Sequence, residues 1–402
     1  MLIFFDDAAH SQLFPLTFTR PACELRLGIL TIREKWLHEW AKTDPEATAA
    51  YLTRDYLAEK YTLHTHTHNT LINGRVLPDN GLLLAINGLR ESELLVQNNV
   101  IIAAKLSGDA VHSLACSEGL CWNNGLSQLP QTEYTDLLTQ IDRPWQLFGY
   151  NDLALRQDYT RLTTGRTSQP LSTTNTLIGQ DLFVEEGAVI EGAILNAKTG
   201  PIYVGKHAEI MEGAVVRGSL AMCEHSTLKM AAKIYGATTL GPHCKVGGEV
   251  NNAVLLGYSN KGHDGFLGNS VLGEWCNLGA DTNNSNLKNN YAEVKVWDYD
   301  TQRFINTGLQ FCGLIMGDHA KSGINPMFNT GTVVGVSANL FGAGFPRNYV
   351  PSFAWGGAAS MTHFALPKAY EVAERVMARR GIAFTEIDQR ILAKVMEMDG
   401  LR

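Results

Sequence analysis

The chain predicts an α/β domain followed by a solenoid of short parallel strands and a helical tail, and three patterns carry that prediction. Every sixth residue from Val204 is apolar: Val204, Ile210, Val216, Met222, Leu228, Ile234, Leu240 and Val246. With 45% of residues apolar, a run of eight arises by chance in roughly one frame in several hundred. Residues 1–168 instead mix short apolar runs with helical spacings, and after Pro367 apolar residues return at helical spacing. The length of 402 residues accommodates two domains of ~100–200 residues each.

In chain order, "MLIFFDDAAH" is a short apolar run ending at Asp6 and Asp7. It reads as a first strand, because a signal peptide needs a basic start and a longer apolar core. "TIREKWLHEW" predicts a helix starting near Thr31, while "TLINGRVLP", "LLLAI" and "NNVIIAAKL" read as strands or strand-turn pieces. Residues 1–168 therefore form the α/β domain, and the polar stretch 163–176 is the linker out of it.

From 172 to 366 the period is six. A helix repeats at 3.6 and an exposed strand at 2, so six residues with Gly after the apolar position fit one short strand per hexad around a prism-shaped core. The frame includes Ile178, Val184 and Ile190 upstream, then Phe266, Leu272, Leu278, Phe328, Val334 and Leu340 downstream. Interruptions at 257–265 and 282–313 predict loops on one face, often the binding face of a solenoid. In the tail, 367–402, Gly381 ends one helix and Thr385 caps a second.

A formal charge of −7 without Lys/Arg blocks argues against a nucleic-acid partner, since phosphate contacts need clustered positive charge. No apolar run reaches the ~18 residues of a membrane span, so a cytoplasmic protein with no membrane partner is expected. The seven cysteines are odd in number and scattered, without a C-x-x-C pair; they read as reduced and structural.

A solenoid has no chemistry of its own, so function must lie in a site grafted on it. "NKGHDGFLGNSVLGEWCNLGADTNNSNLKNNY", 260–291, puts one histidine, His263, in a run rich in Gly and Asn. A lone histidine is more often structural, but imidazole is tuned to act as a general base near neutral pH. Asn277 and Asn286 offer amide groups suited to a sugar or pantetheine, whereas Asn283 and Asn284 read equally well as a structural ladder. Lys233, Lys245, Lys261, Lys288 and Lys321 are candidates for phosphate contacts.

"KGHDGFLGNSVLGEWCNLGADTNNSNL" resembles the acetyl-transfer segment of bifunctional amino-sugar-phosphate acetyltransferase/nucleotidyltransferases. The whole chain, from "PLTFTRPACELRLGILTIREKW" through "GYSNKGHDGFLG" to "AERVMARRGI", is similar to the alternative bacterial family of UDP-N-acetylglucosamine diphosphorylase/glucosamine-1-phosphate N-acetyltransferases. The resemblance implies a nucleotidyltransferase-like domain joined to a left-handed parallel β-helix of hexapeptide repeats, a homotrimer, and acetyl-CoA as co-substrate.

Carried onto this chain, the resemblance makes His263 the base on the acceptor amine, with Asn277, Asn286, Lys233 and Lys288 on the acceptor sugar. Ala280, Lys321, Ser322 and Gly323 fall near acetyl-CoA. The related enzymes have an arginine where Lys233 falls, a lysine at Asn251 and a tyrosine at Phe266. Asp281 replaces the second Gly of their "GAGT".

In the N-terminal half, "LFPLTFTRP" resembles a nucleotidyltransferase motif, but "DDAAHSQ", Asp6–Gln12, stands in place of its glycine loop. Asp6, Asp7, Arg20, Arg26, Lys35 and Asn73 are the nucleotide-binding candidates. Arg75 stands where a metal-binding Asp is usual, and only "GYND", with Asn151, resembles the second metal ligand of that superfamily, so the resemblance implies Asn151 as the candidate ligand for Mg2+. The expected partners are a sugar phosphate and a nucleotide. Another amino sugar, a thymidylyl donor, or a non-catalytic sugar-nucleotide-binding regulator stay open on these residues.

Overall fold

The computed structural model describes residues 1–120 and 125–400. Contacts divide the chain into two compact units. The first comprises 1–13, 19–25 and 30–142; the second takes 14–18, 26–29 and 143 onward.

The first unit is built on a six-stranded mixed sheet. Its strands are β1 (Leu2–Phe5), β2 (Ala49–Leu52), β3 (His68–Asn73), β4 (Glu93–Gln97), β5 (Val100–Ser107) and a last short strand, Gln131–Glu133. In the order β2-β1-β3-β5-β4-last, β1 runs parallel to both neighbours and β5 antiparallel to both of its own. Helix α1 (Ile32–Trp40) starts at Thr31, whose side chain accepts from Glu34 N while Glu34 reaches back, a capping box.

"LLLAI" is not a strand but the body of α2 (Asn80–Gly88). Asp79 caps that helix by accepting from Leu82 N at 2.8 Å. Only Leu82 and Ile86 are buried, one helical turn apart, and Leu84 is 74% exposed. A short apolar run does not reveal its period, and the cap decided it.

The second unit is a parallel β-solenoid. Register pairs Val204 with Met222 and Met222 with Leu240, so one coil is eighteen residues, or three hexads. All eight residues of the hexad frame are at most 1% exposed and lie in one core cluster. At the first interruption the coil shortens instead of bulging: Leu240 pairs with Leu255 and Val246 with Lys261, fifteen residues on. Beyond it Val250 pairs with Leu267, so Leu267, not Phe266, enters the core, and Leu272 follows it there. The second interruption is an excursion, since Leu272 next pairs with Met316; it carries an antiparallel hairpin, Lys295–Asp298 with Arg303–Asn306.

Helices α3 (Gly108–Leu114), α4 (Gln146–Gly149) and α5 (Asn151–Thr163) follow in the chain, and α4 and α5 belong to the solenoid unit. The tail folds as α6 (Leu366–Ala378) and α7 (Glu386–Asp399), with Gly381 at φ +69° after the first and a Thr385 capping box on the second. Among the described residues, no helix is long and apolar enough to cross a membrane. Cys116 is disulfide-bonded, against the expectation of reduced thiols; five other cysteines are free and buried, and Cys121 lies outside the described residues.

Candidate functional site

His263 stands on a turn between the strand Asn260–Lys261 and the strand Phe266–Glu274. Lys261 occupies the inward hexad position opposite Val246 and is 1% exposed. Its ammonium donates to the carbonyls of Gly247 at 3.0 Å and His263 at 2.9 Å. Burial lowers its pKa to about 8, although Asp264, Asp281 and Glu249 favour the charge. Gly265, at φ +114°, could not be replaced, because a Cβ there would sit 2.2 Å from the Thr282 carbonyl. The turn is thus fixed from inside while the His263 side chain is exposed.

That side chain lines a cavity of about 290 Å³. Asn260 and Asn277, register neighbours on one solenoid face, line it too, as does Gly279. A Cβ on Gly279 would lie 1.9 Å from the Gly323 carbonyl, so backbone fills that corner. Four cations converge: Lys229 and Lys245 from the coils, and Arg379 and Arg380 from the end of α6. Among the described residues no carboxylate lines the cavity. Burial, then Arg380, Lys229 and Arg379, hold Lys245 below its usual pKa. Glu209 acts on Lys245 in the opposite sense, but four cations with no carboxylate in the described lining have the electrostatic form of an anion site.

The aromatic wall, Tyr258 and Trp275, belongs to a column of stacked rings. His207, His225, His243, Tyr258, Trp275 and His319 follow one per coil at centroid spacings from 4.2 to 6.2 Å. Each holds a positive φ of 55 to 61° at its coil's turn. Sequence reading missed this column and Lys229, Arg379 and Arg380. The signal for the column was available in the eighteen-residue spacing of His207, His225 and His243.

The other acceptor-site candidates are not gathered here. Asn286 donates to the Asn269 side chain at 2.8 Å. Lys233 is exposed, 3.9 Å from Glu249, and Lys288 donates to the Glu293 carbonyl at 2.7 Å. Asn283 and Asn284 bond Phe266 N and Gly268 N, at 2.8 and 2.9 Å, which is the ladder role.

On the proposed acetyl-CoA side, the Lys321 ammonium donates to the His319 carbonyl at 2.7 Å, and burial lowers its pKa to about 8. Ser322 is buried, 2.9 Å from the Thr282 hydroxyl and accepting from Gly279 N at 3.2 Å. Gly323 backs Gly279. Ala280 does not line the cavity, and its carbonyl accepts from Asn325 N at 2.9 Å.

In the first unit, Asp6 and Asp7 follow β1 while Asn73 and Arg75 end or follow β3, its parallel neighbour, at the carboxyl ends where α/β sheets place ligands. Asp6 accepts from Ala22 N at 3.0 Å and Thr53 at 2.5 Å. Asp7 accepts from Arg75 at 2.6 and 3.2 Å, Asn73 at 2.9 Å and Ala9 N at 3.0 Å. Burial pushes the Asp7 carboxyl up, but Arg75, Asn73 and Ala9 outweigh it and leave the pKa below the usual value. Arg75 also bonds Asp142. Arg20 and Lys35 are buried.

Arg26, by contrast, belongs to the solenoid unit and bonds the Ile29 carbonyl and, at 3.7 Å, the Cys223 thiol.

Mg2+ requires oxygen ligands that are free to bind it. The Asp7 carboxylate is already neutralised by a guanidinium. The Asn151 amide oxygen, 0% exposed, accepts from Gly28 N at 2.6 Å and Thr239 at 3.0 Å, and its nitrogen donates to the Ala237 carbonyl. No group of three His, Cys, Asp or Glu among the described residues is placed to hold a metal. Asn151 is therefore a buttress between turn and coil, and these residues do not fit Mg2+.

Residues 2–167 match the family model described as sugar nucleotidyl transferase, which makes the protein a transferase by class. The comparison with curated proteins found no match. Among solved structures, the polySia-specific acetyltransferase NeuO aligns at 12% identity and TM-score 0.25, covering 48% of this chain and 87% of its own. LpxA, a UDP-N-acetylglucosamine acyltransferase from Bacteroides fragilis 9343, aligns at 10% and 0.24, covering 58% and 98%. The polysialic acid O-acetyltransferase OatWY aligns at 12% and 0.18, covering 47% and 85%. At these scores the alignments carry no argument about activity.

Proposed function

We propose that the solenoid acetylates the amine of glucosamine-1-phosphate with acetyl-CoA at the His263 cavity, and that the N-terminal unit joins the product to UTP with release of pyrophosphate. One observation carries the first half: an exposed histidine shares a cavity with Asn260, Asn277 and four cations, with no carboxylate among the described lining residues. Such a cavity suits a phosphorylated, hydroxyl-rich acceptor. The family match of residues 2–167 supports the second half.

An ammonium is not a nucleophile. The His263 imidazole takes a proton from the amine as its nitrogen attacks the thioester carbonyl; the tetrahedral oxyanion collapses, the C–S bond breaks, and the thiolate leaves and regains a proton. Lys229, Lys245, Arg379 and Arg380 hold the phosphate, and Asn277 orients the sugar. Ser322 and Gly323, behind Gly279, shape the acetyl-CoA side.

Assembly as a homotrimer is part of the proposal. Ile194 and Val215 are register neighbours yet 42% and 44% exposed, an apolar strip suited to a second copy. Light scattering that returned a monomer mass would remove it.

A second reading is favoured by the Arg75–Asp7 pair, which fills the carboxyl ends of β1 and β3: the first unit binds a sugar nucleotide without transferring it. The deciding experiment runs two reactions, glucosamine-1-phosphate with acetyl-CoA followed as free thiol, and N-acetylglucosamine-1-phosphate with UTP and magnesium followed as pyrophosphate. Both products are expected. Thiol alone selects the second reading for the first unit, and pyrophosphate alone removes the acetyl-transfer proposal.

A further inference from the structure

The excursion between Leu272 and Met316 builds a second cavity, of about 940 Å³, that acetyl transfer at His263 does not use. Its wall is the hairpin of 295–306 together with coil residues 347–361. Trp297 and Phe304 face each other across the hairpin register. Trp297 also lies parallel to Tyr349, with centroids 4.3 Å apart and planes at 10°, while Phe304 meets it edge-on at 5.4 Å. The Tyr349 hydroxyl is tied to Asp399, so the stack is held in place from the coil side. Phe304 is nevertheless 43% exposed.

Around these rings stand three cations, Lys288, Lys295 and Arg347, the last two exposed. No carboxylate lines the cavity among the described residues. Neighbouring acids have other partners: Asp298, on the hairpin strand itself, pairs with Arg143 at 2.6 Å and with Thr301, Asp399 holds Tyr349 and Ser352, and the Glu293 carboxylate accepts from Asn306. A run of small residues, Gly357 to Ser360, forms part of the opposite side and leaves room for a flat ligand.

Aromatic rings beside unneutralised cations are the two halves of nucleotide recognition, one taking the base by stacking and the other the phosphates. The volume lies within the ~300–1,000 Å³ range of small-molecule sites. We propose that this cavity binds a phosphorylated nucleoside, its base against Phe304 and Trp297 and its phosphates toward Lys295 and Arg347. Two sources share that chemistry: a uridine nucleotide, and the adenosine 3′,5′-bisphosphate portion of a coenzyme A.

Calorimetric titration of the full chain with UDP and, separately, with adenosine 3′,5′-bisphosphate tests the site and distinguishes the sources. At least one probe should bind, and binding should weaken tenfold or more in both Phe304→Ala and Arg347→Ala, two exposed positions. The probe whose binding falls names the source. Failure of the native chain to bind either probe would overturn the proposal, and so would variants that bind as the native chain does, including any whose only change is in oligomeric mass. Because the readout is binding and not thiol release, it is independent of the role given to His263.

Discussion

Lys261→Met separates the scaffold from the chemistry of the His263 turn. The native ammonium titrates at about 8 instead of 10.5, so burying its charge costs roughly 3 kcal/mol at 1.36 kcal/mol per tenfold. Against that, it makes two charge-assisted hydrogen bonds, to Gly247 and His263, worth about 1.5–3 kcal/mol each. Methionine fills similar volume without charge, so both terms vanish together and the net loss of stability should not exceed about 3 kcal/mol. The turn loses its internal anchor, and kcat/KM for acetyl transfer should fall by roughly ten- to a hundredfold, the usual cost of a catalytic group misplaced by about 1 Å.

The sign of the pH effect follows from the lowered pKa. Between pH 8 and 10.5 the unfolded chain keeps a proton that the folded chain has shed, so native stability gains from this group as pH rises. Denaturant melts of both proteins across that window, compared by difference, should show a gain of roughly 3 kcal/mol in the native chain and not in the variant. Equal slopes together with unchanged thiol release would refute the assignment of Lys261 as the anchor of His263.

Arg75→Ala removes the guanidinium partner of the half-buried Asp7 carboxylate and should destabilise the first unit by about 1–3 kcal/mol. The stability that native Asp7 contributes is present above its ordinary pKa and is lost as pH falls through its lower folded value, so urea melts from pH 7 to 3 should show an acid-side loss larger than the variant's. Arg379→Ala combined with Arg380→Ala should raise KM for a phosphorylated amino sugar tenfold or more while hardly changing it for the unphosphorylated sugar; equal effects on both would place the arginines off the phosphate. His243 is held below its usual pKa by burial, then by His225 and Arg380. Its proton NMR titration should therefore have a midpoint under 6.5, and its contribution to stability should disappear as pH falls below that value; a midpoint above 6.5 contradicts the stacked column.

The repeat was legible because the hexad period is imposed by geometry: each coil buries the same three positions, and Val204 through Val246 all obey it. It failed where the coil changed length, at Phe266 and Leu267, because the glycines from Gly247 to Gly265 mark turns but do not say how many residues a shortened coil has lost. His263 was legible as the one histidine on a Gly-rich turn. Most of the anion-binding charge was not, because Arg379 and Arg380 are brought to the cavity by the folding of the tail, more than a hundred residues away in sequence. The asparagines divide: Asn277 lines the cavity, whereas the other candidates are bonded within the coils. Their amides suit a sugar, but Asn283, Asn284 and Asn286 satisfy backbone or one another within the coils, and hydrogen-bonding capacity alone does not show where it is used. Asn151 was misplaced for a similar reason, since a polar residue after a Gly-Tyr turn gave no sign that its amide would be 0% exposed.

The central claim is that His263 is the base of an acetyl transfer, and the most direct test is the rate of coenzyme A thiol release by His263→Ala beside the native chain, with glucosamine-1-phosphate as acceptor. The account predicts a loss of at least a hundredfold, the usual contribution of a general base, with an unchanged melting temperature because the side chain is exposed. Native-like release by the variant would contradict it.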